Sequence, residues 1–284
     1  MPDLRLICAP FHDGVPNIGM GSGAALLFGD ELLRDLLAGA GWTVRGETIP
    51  AGDPRRPEIA RTMEVIRRLA TRVREARTAG AFPLVLAGGC SSSLGTVSGL
   101  GLRAPGIVWF DAHVDFDTPD DNISGFFDVM PVAMLTGSGW AAQAASIPGF
   151  SAVPEEAVVM AAVRDLEPYQ AERLEASAIR TVPGSVDLGS LGLALDTLAG
   201  RVDGVYLHMD LDSLDIAAGQ VNEYSAPGGP SLETLTLAVD AVFDRLPVVG
   251  AAITAYDPSF DSDGRALAAA RAVAHTIALR ASHA

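Results

Sequence analysis

Eight short apolar runs, separated by longer segments rich in Ala, Leu and Arg, constrain the fold of this chain more than any other feature. They are LRLICAP, TVRGETIP, PLVLAGG, GIVWFDAH, AVVMAAV, IRTVPG, GVYLHMDLD and VVGAAITAY. Most are continuous rather than alternating, which marks strands buried on both faces. The segments between them predict helices over 21–40, 57–79, 92–101 and 129–137. The fold class that follows is α/β, with a mostly parallel β-sheet sandwiched between helices. No internal repeat, low-complexity tract or linker interrupts the pattern, so one domain over 1–284 is expected.

Ligands in such sheets bind beyond the carboxyl ends of the strands. Three runs end there in unusual chemistry: VLAGGCSSS at 85–93, IVWFDAHVDFD at 107–117 and VYLHMDLDSLD at 205–215. The second places Asp111, His113 and Asp115 at alternate positions, which extended geometry would point to one side. The third repeats the spacing with Asp210 and Asp212. Four carboxylates and an imidazole at one sheet edge repel strongly unless a cation neutralises them. Oxygen-rich donors with one nitrogen favour hard divalent ions such as Mn²⁺. Four carboxylates exceed the need of one ion, so two divalent ions are expected, a pair able to lower the pKa of a shared water and hydrolyse at an electrophilic carbon.

Composition narrows the alternatives. All 20 basic residues are arginine, which removes Schiff-base lysine chemistry and the lysine of a Walker phosphate loop. A formal charge of −15 without an arginine run argues against nucleic acid as a partner. No apolar stretch reaches the ~18–20 residues needed to span a bilayer, so no membrane partner is expected. Asp3 and Arg5 sit where a signal peptide needs apolar residues, so the expected location is cytoplasmic. Two cysteines, Cys8 and Cys90, make no disulfide framework. The serines of GGCSSS lack the flanking glycine of a GxSxG nucleophile elbow.

The two Asp motifs resemble those of the ureohydrolase superfamily, the arginases, agmatinases and formiminoglutamases, whose binuclear manganese site carries DAHxDxN and DxDxxDP. ICAPFHDGVPNIGMGSGAALL at 7–27 resembles the family's opening strand and Gly-rich loop, VRDLEP at 163–168 its GxRDxxP segment, and YDP at 256–258 its ExNP segment. The resemblance implies that Asp111 and Asp210 bridge both ions, that Asp115 binds the first, and that His113 and Asp212 bind the second. It also implies that Cys90, in LAGGCSSSLGT, takes the place of the ligand histidine in GGDHS. A thiolate is a metal ligand in its own right, and a softer one that raises the case for zinc or iron there. His208, two residues before Asp210, is open to two readings, a donor behind the ligands or a buried histidine satisfied by backbone.

Departures from the family bear on substrate. The guanidinium-gripping Glu of ExNP is Ala255, and the substrate-binding Asn after the first motif is Asp117. In DTPDDNISGFFDVMP, Ser124 matches a family serine at the amino-acid end of arginine, Phe126 replaces a substrate-binding Asn, and Asp128 stands where the family has a proton-shuttling histidine. Glu167 matches an acid that reads the α-amino group. The expected activity is hydrolysis of a non-peptide C–N bond in a linear amidine or guanidine, with Asp128 as catalytic group. Ordinary arginine is disfavoured and an N-hydroxyguanidine such as N-hydroxyarginine favoured. A non-catalytic metal-binding relative, an agmatinase- or formiminoglutamase-like enzyme and a scaffold protein remain open. Many members of the family form trimers or hexamers, so a homo-oligomer is compatible with the resemblance.

Overall fold

The computed structural model describes residues 1–283. Its strands are β1 (Asp3–Ala9), β2 (Phe11–His12), β3 (Val15–Pro16), β4 (Thr43–Thr48), β5 (Phe82–Ala87), β6 (Pro105–Phe110), β7 (Val158–Ala161), β8 (Arg180–Val182), β9 (Gly204–Asp210) and β10 (Val248–Thr254). All eight apolar runs become strands of one sheet, in the order β4-β1-β5-β10-β9-β6-β7-β8. Each of its pairings is parallel. β2 and β3 form a separate antiparallel ribbon.

Two cores flank the sheet because successive strand residues point to opposite faces. In β1, Leu4, Leu6 and Cys8 enter one core while Ile7 and Ala9 enter the other. The second core is covered by helices Glu58–Thr78 and Ser92–Leu100. These two helices pack backbone to backbone, for a Cβ on Gly95 or Gly99 would lie 2.6 Å from Ile66 O or Ala70 O. The first core is covered by Met20–Gly29, Glu31–Gly39, Leu188–Asp196, Leu232–Arg245 and Arg265–Ala281.

The helix expected over 21–40 is two helices. Asp30 ends the first in extended conformation and starts the second by accepting from Leu33 N at 2.8 Å, a side-chain cap that competes with continuous helix. The expected helix over 129–137 is shorter, Pro131–Leu135. Among the described residues no helix is long and apolar enough to cross a membrane.

Strand order is what builds the site. β10 and β9 lie between β5 and β6, although β5 and β6 are successive in the chain. The carboxyl ends of these four central strands therefore meet, and each delivers a polar residue: Cys90 just after β5, Thr254 at the end of β10, Asp210 at the end of β9 and Asp111 after β6.

Candidate metal centre

The local turns of the two Asp motifs are alike. Asp111 Oδ1 accepts from His113 N at 2.7 Å, and Asp210 Oδ1 accepts from Asp212 N at 2.9 Å. Such a bond from an Asp side chain to the backbone two residues on curls the chain. The extended geometry expected through Asp115 and Asp212 is therefore absent: β6 stops at Phe110, Asp115 takes a φ of 45°, and Leu211–Ser213 is a 3₁₀ turn. His113 and Asp212 reach the site by these turns, not by strand alternation.

The side chains converge closely. Cys90 Sγ lies 2.9 Å from Asp210 Oδ2, 4.0 Å from Asp111 Oδ2 and 3.5 Å from Thr254 Oγ1. His113 Nδ1 lies 3.2 Å from Asp111 Oδ1 and 3.6 Å from Asp212 Oδ2. Two overlapping groups of donors result: Cys90, Asp111, His208 and Asp210 in one, and Asp111, His113 and Asp212 in the other. Asp111 belongs to both. Asp115 is outside both groups but lines the same cavity of about 80 Å³.

Electrostatics show what this donor set requires. Burial, and then the neighbouring carboxylates, push Cys90, Asp111 and Asp210 above their ordinary values, and Asp115 likewise. Burial would lower His113, but Asp212 and Asp111 outweigh it and hold it high. Left alone, the cluster takes up protons; divalent cations reverse that preference by neutralising the anions they bind. Five buried acidic groups with one or two imidazoles thus fit a pair of divalent ions.

Neighbours hold the donors in place. Trp109 Nε1 donates to Asp111 Oδ2 at 2.9 Å, and Asn222 Nδ2 donates to Asp212 Oδ2 at 3.1 Å and to Ala255 O at 3.0 Å. Arg164, in the VRDLEP segment, donates to the carbonyls of Ala162, Asp212, Ser213, Leu214, Ala226 and Pro227, clamping the loop that carries Asp212. Asn222 has no sequence signal, because its loop is irregular and its partners lie just past the ends of β9 and β10.

The remaining expected site residues divide. Phe126 and Asp128 line the cavity with Met20, Tyr224 and Ala255. Phe126 stacks on Tyr224 with centroids 6.1 Å apart, while Phe127 turns into the core. Asp128 Oδ1 accepts from Ser91 N at 2.9 Å, and burial raises its carboxyl. It passes so close to Gly89 that a Cβ there would lie 2.6 Å from Asp128 Cγ.

Asp117, Ser124 and Glu167 are not brought to the cavity. Asp117 is buried, and both its oxygens are taken by the helix Pro168–Ala176, from Tyr169 Oη and Gln170 Nε2, each at 2.9 Å. Ser124 Oγ donates to Asn122 Oδ1 and accepts from Phe126 N, closing its own loop. Glu167 is an exposed helix N-cap. Cys8 packs with its thiol toward Ala24 O, and burial pushes it up to about 12.

Comparison with known proteins agrees with this architecture. Residues 35–279 match the model of the Arginase family. The arginase of Bacillus caldovelox is 29% identical over 230 residues, covering 78% of this chain and 77% of that protein. The structure of Entamoeba histolytica arginase in complex with L-ornithine superposes with a TM-score of 0.85 at 19% identity, covering 98% of both chains. The structure of arginase from Bacillus subtilis gives 0.84 at 24%, over 97% of this chain and 98% of that one.

Proposed function

Because the chain belongs to the arginase family and is on that ground a metal-dependent ureohydrolase, we propose that it hydrolyses a non-peptide C–N bond of a linear amidine or guanidine at the cavity described above. The observation that carries the reading is the meeting of one thiol, four carboxylates and an imidazole at the ends of adjacent parallel strands. Cys90, Asp111, Asp115 and Asp210 would hold one ion, and His113, Asp212 and the two shared carboxylates the other. Two divalent ions, manganese by the preference of an oxygen-rich donor set, would supply Lewis-acid activation of water for attack on the central carbon.

The chain's own residues do the rest. Asp128 Oδ1 is held by Ser91 N–H, and Oδ2 lies against Gly89, a neighbouring residue of the cavity wall. Asp128 would take the proton released by the attacking water and pass it to the departing amine nitrogen as the C–N bond breaks, while the oxygen of that water joins the carbon. Phe126, Tyr224 and Met20 form an apolar wall that restricts water.

Substrate choice follows from the other wall. Ala255 is buried beside the ligands and offers no carboxylate to grip a guanidinium, so a fully cationic arginine side chain lacks an anionic partner there. That loss is about 1.5–3 kcal/mol as a charge-assisted hydrogen bond. A less basic N-hydroxyguanidine, such as N-hydroxyarginine, loses less. The named arginases among its relatives favour a second reading, arginine itself.

The test is urea release by the manganese-loaded protein from N-hydroxyarginine, arginine and agmatine, together with nitrogen release from formiminoglutamate. Higher kcat/KM for N-hydroxyarginine is expected. Preference for arginine would select the second reading, and two bound ions with no turnover of any of them would refute hydrolysis.

A further inference from the structure

We infer that His208 is itself a ligand of the metal centre, its Nε2 binding the same ion as Cys90, Asp111 and Asp210. This rests on reading the cavity as a metal site, and it changes the donor set of one ion from sulfur and oxygen to sulfur, nitrogen and oxygen.

Strand register puts the ring there. Alternation along β9 sends Tyr206, His208 and Asp210 to the same face. His208 pairs with Trp109 on β6 and with Ala252 on β10. The indole stacks on the imidazole with centroids 3.5 Å apart and planes at 12°, while the small Ala252 leaves room on the other side. The ring is fully buried, so its nitrogens need partners inside the protein.

Nδ1 has its partner in Tyr206 Oη at 2.8 Å. With Nδ1–H donating to that oxygen, Nε2 carries its lone pair toward Cys90, the arrangement in which a ligand histidine is held by its other ring nitrogen. Nε2 is 3.3 Å from Cys90 Sγ and also 3.3 Å from Thr254 Oγ1. A centre in front of Nε2 would be shared with both neighbours.

Four atoms enclose that centre. Besides the two distances just given, Sγ to Asp210 Oδ2 is 2.9 Å, Sγ to Thr254 Oγ1 is 3.5 Å, and Thr254 Oγ1 to Asp210 Oδ2 is 3.3 Å. These five separations are of the size found between ligand atoms that each lie about 2.0–2.3 Å from one shared ion. Asp111 Oδ2 completes the group, 4.0 Å from Sγ.

Charge favours the same conclusion. The cluster already holds four carboxylates and a thiol. Imidazole adds a donor without adding another negative charge, whereas Asp115 lies outside the close group of donors. Sulfur and nitrogen together make this the softer of the two positions, suited to zinc more than to manganese.

Zinc X-ray absorption on the full chain loaded with Zn²⁺ alone tests the inference, since imidazole rings give countable outer-shell scattering. Wild type is expected to show one sulfur and two imidazoles per pair of ions, His208→Gln one imidazole, and His113→Gln the imidazole of His208 alone. Zinc affinity of the Cys90 position should fall at least roughly a hundredfold in His208→Gln, beyond the usual effect of losing an outer-shell partner. Two ions with a zinc–sulfur shell but a single imidazole in wild type would overturn the assignment of His208 while leaving the metal centre intact. Absence of bound zinc would overturn both. The wild-type count decides the matter even if His208→Gln does not fold.

Discussion

Replacing Gly89 by alanine probes the most crowded contact in the cavity. The new Cβ would lie 2.6 Å from Asp128 Cγ and 2.9 Å from its Oδ1, with Oδ2 nearer still, and its three nearest neighbours are all atoms of this carboxylate. Carbon atoms rest at ~3.5–4.0 Å, so the carboxylate must retreat by about 1 Å. It then loses Ser91 N–H, now 2.9 Å away, and a buried amide is left without a partner. A hydrogen bond to a charged group contributes about 1.5–3 kcal/mol. Alanine returns about 0.4–1 kcal/mol by restricting the unfolded chain. The net loss is about 1–2 kcal/mol, read as a lower urea midpoint at unchanged m value. In an Asp128→Ala background the clash is gone, and Gly89→Ala should be neutral or mildly stabilising. The double-mutant cycle should therefore return a coupling of about 2 kcal/mol, with metal content per chain unchanged in all four proteins. Equal costs in both backgrounds would refute the reasoning, because Gly89 would then be required by its own backbone and not by Asp128.

Arg164→Lys removes the planar fork that holds six carbonyls; a loss of about 3 kcal/mol is expected in urea unfolding, with weaker binding of the ion held by Asp212. Chelation should remove about 4 kcal/mol per ion when each site is loaded at about 1,000 times its Kd. For two ions and a chain of this size the thermal midpoint should fall by more than roughly 10 °C, and a midpoint indifferent to chelator would contradict a loaded pair. The Asp30–Arg271 link between helices Glu31–Gly39 and Arg265–Ala281 sets an acid-limb prediction. Burial pushes the Asp30 carboxyl up, but hydrogen bonds from Arg271 and Leu33 outweigh it and hold the group below its ordinary 3.8. Its stabilisation is therefore complete above 3.8 and lost as pH falls through the depressed folded value. Asp30→Asn should cost about 1–3 kcal/mol near neutrality and much less at the acid end of urea titrations.

Much of this protein is legible in one dimension because its two strongest signals are local. A continuous apolar run records burial on both faces, as in the six inner strands of the sheet, whereas the edge strands β4 and β8 are largely exposed and carry a weaker signal. The identities of the groups at their ends are local too, but the turns that aim them escape the reading: Asp111 and Asp210 each accept from the backbone two residues on, where extended chain is expected. What the chain alone cannot convey is which strand lies beside which. β10 and β9 enter between β5 and β6 through pairings of residues 167 apart (Leu84 with Ala251) and 99 apart (Ile107 with Tyr206), and only that order brings Cys90 to Asp210. The same long-range packing turns Asp117 away to Tyr169 and Gln170, draws Asn222 to Asp212, and sets His208 between Trp109 and Ala252. The sequence by itself determined the elements and the reactive groups at their tips. Tertiary structure decided which tips share a cavity, because a side chain's partners across a sheet are selected by the packing of whole strands and not by its neighbours in the chain.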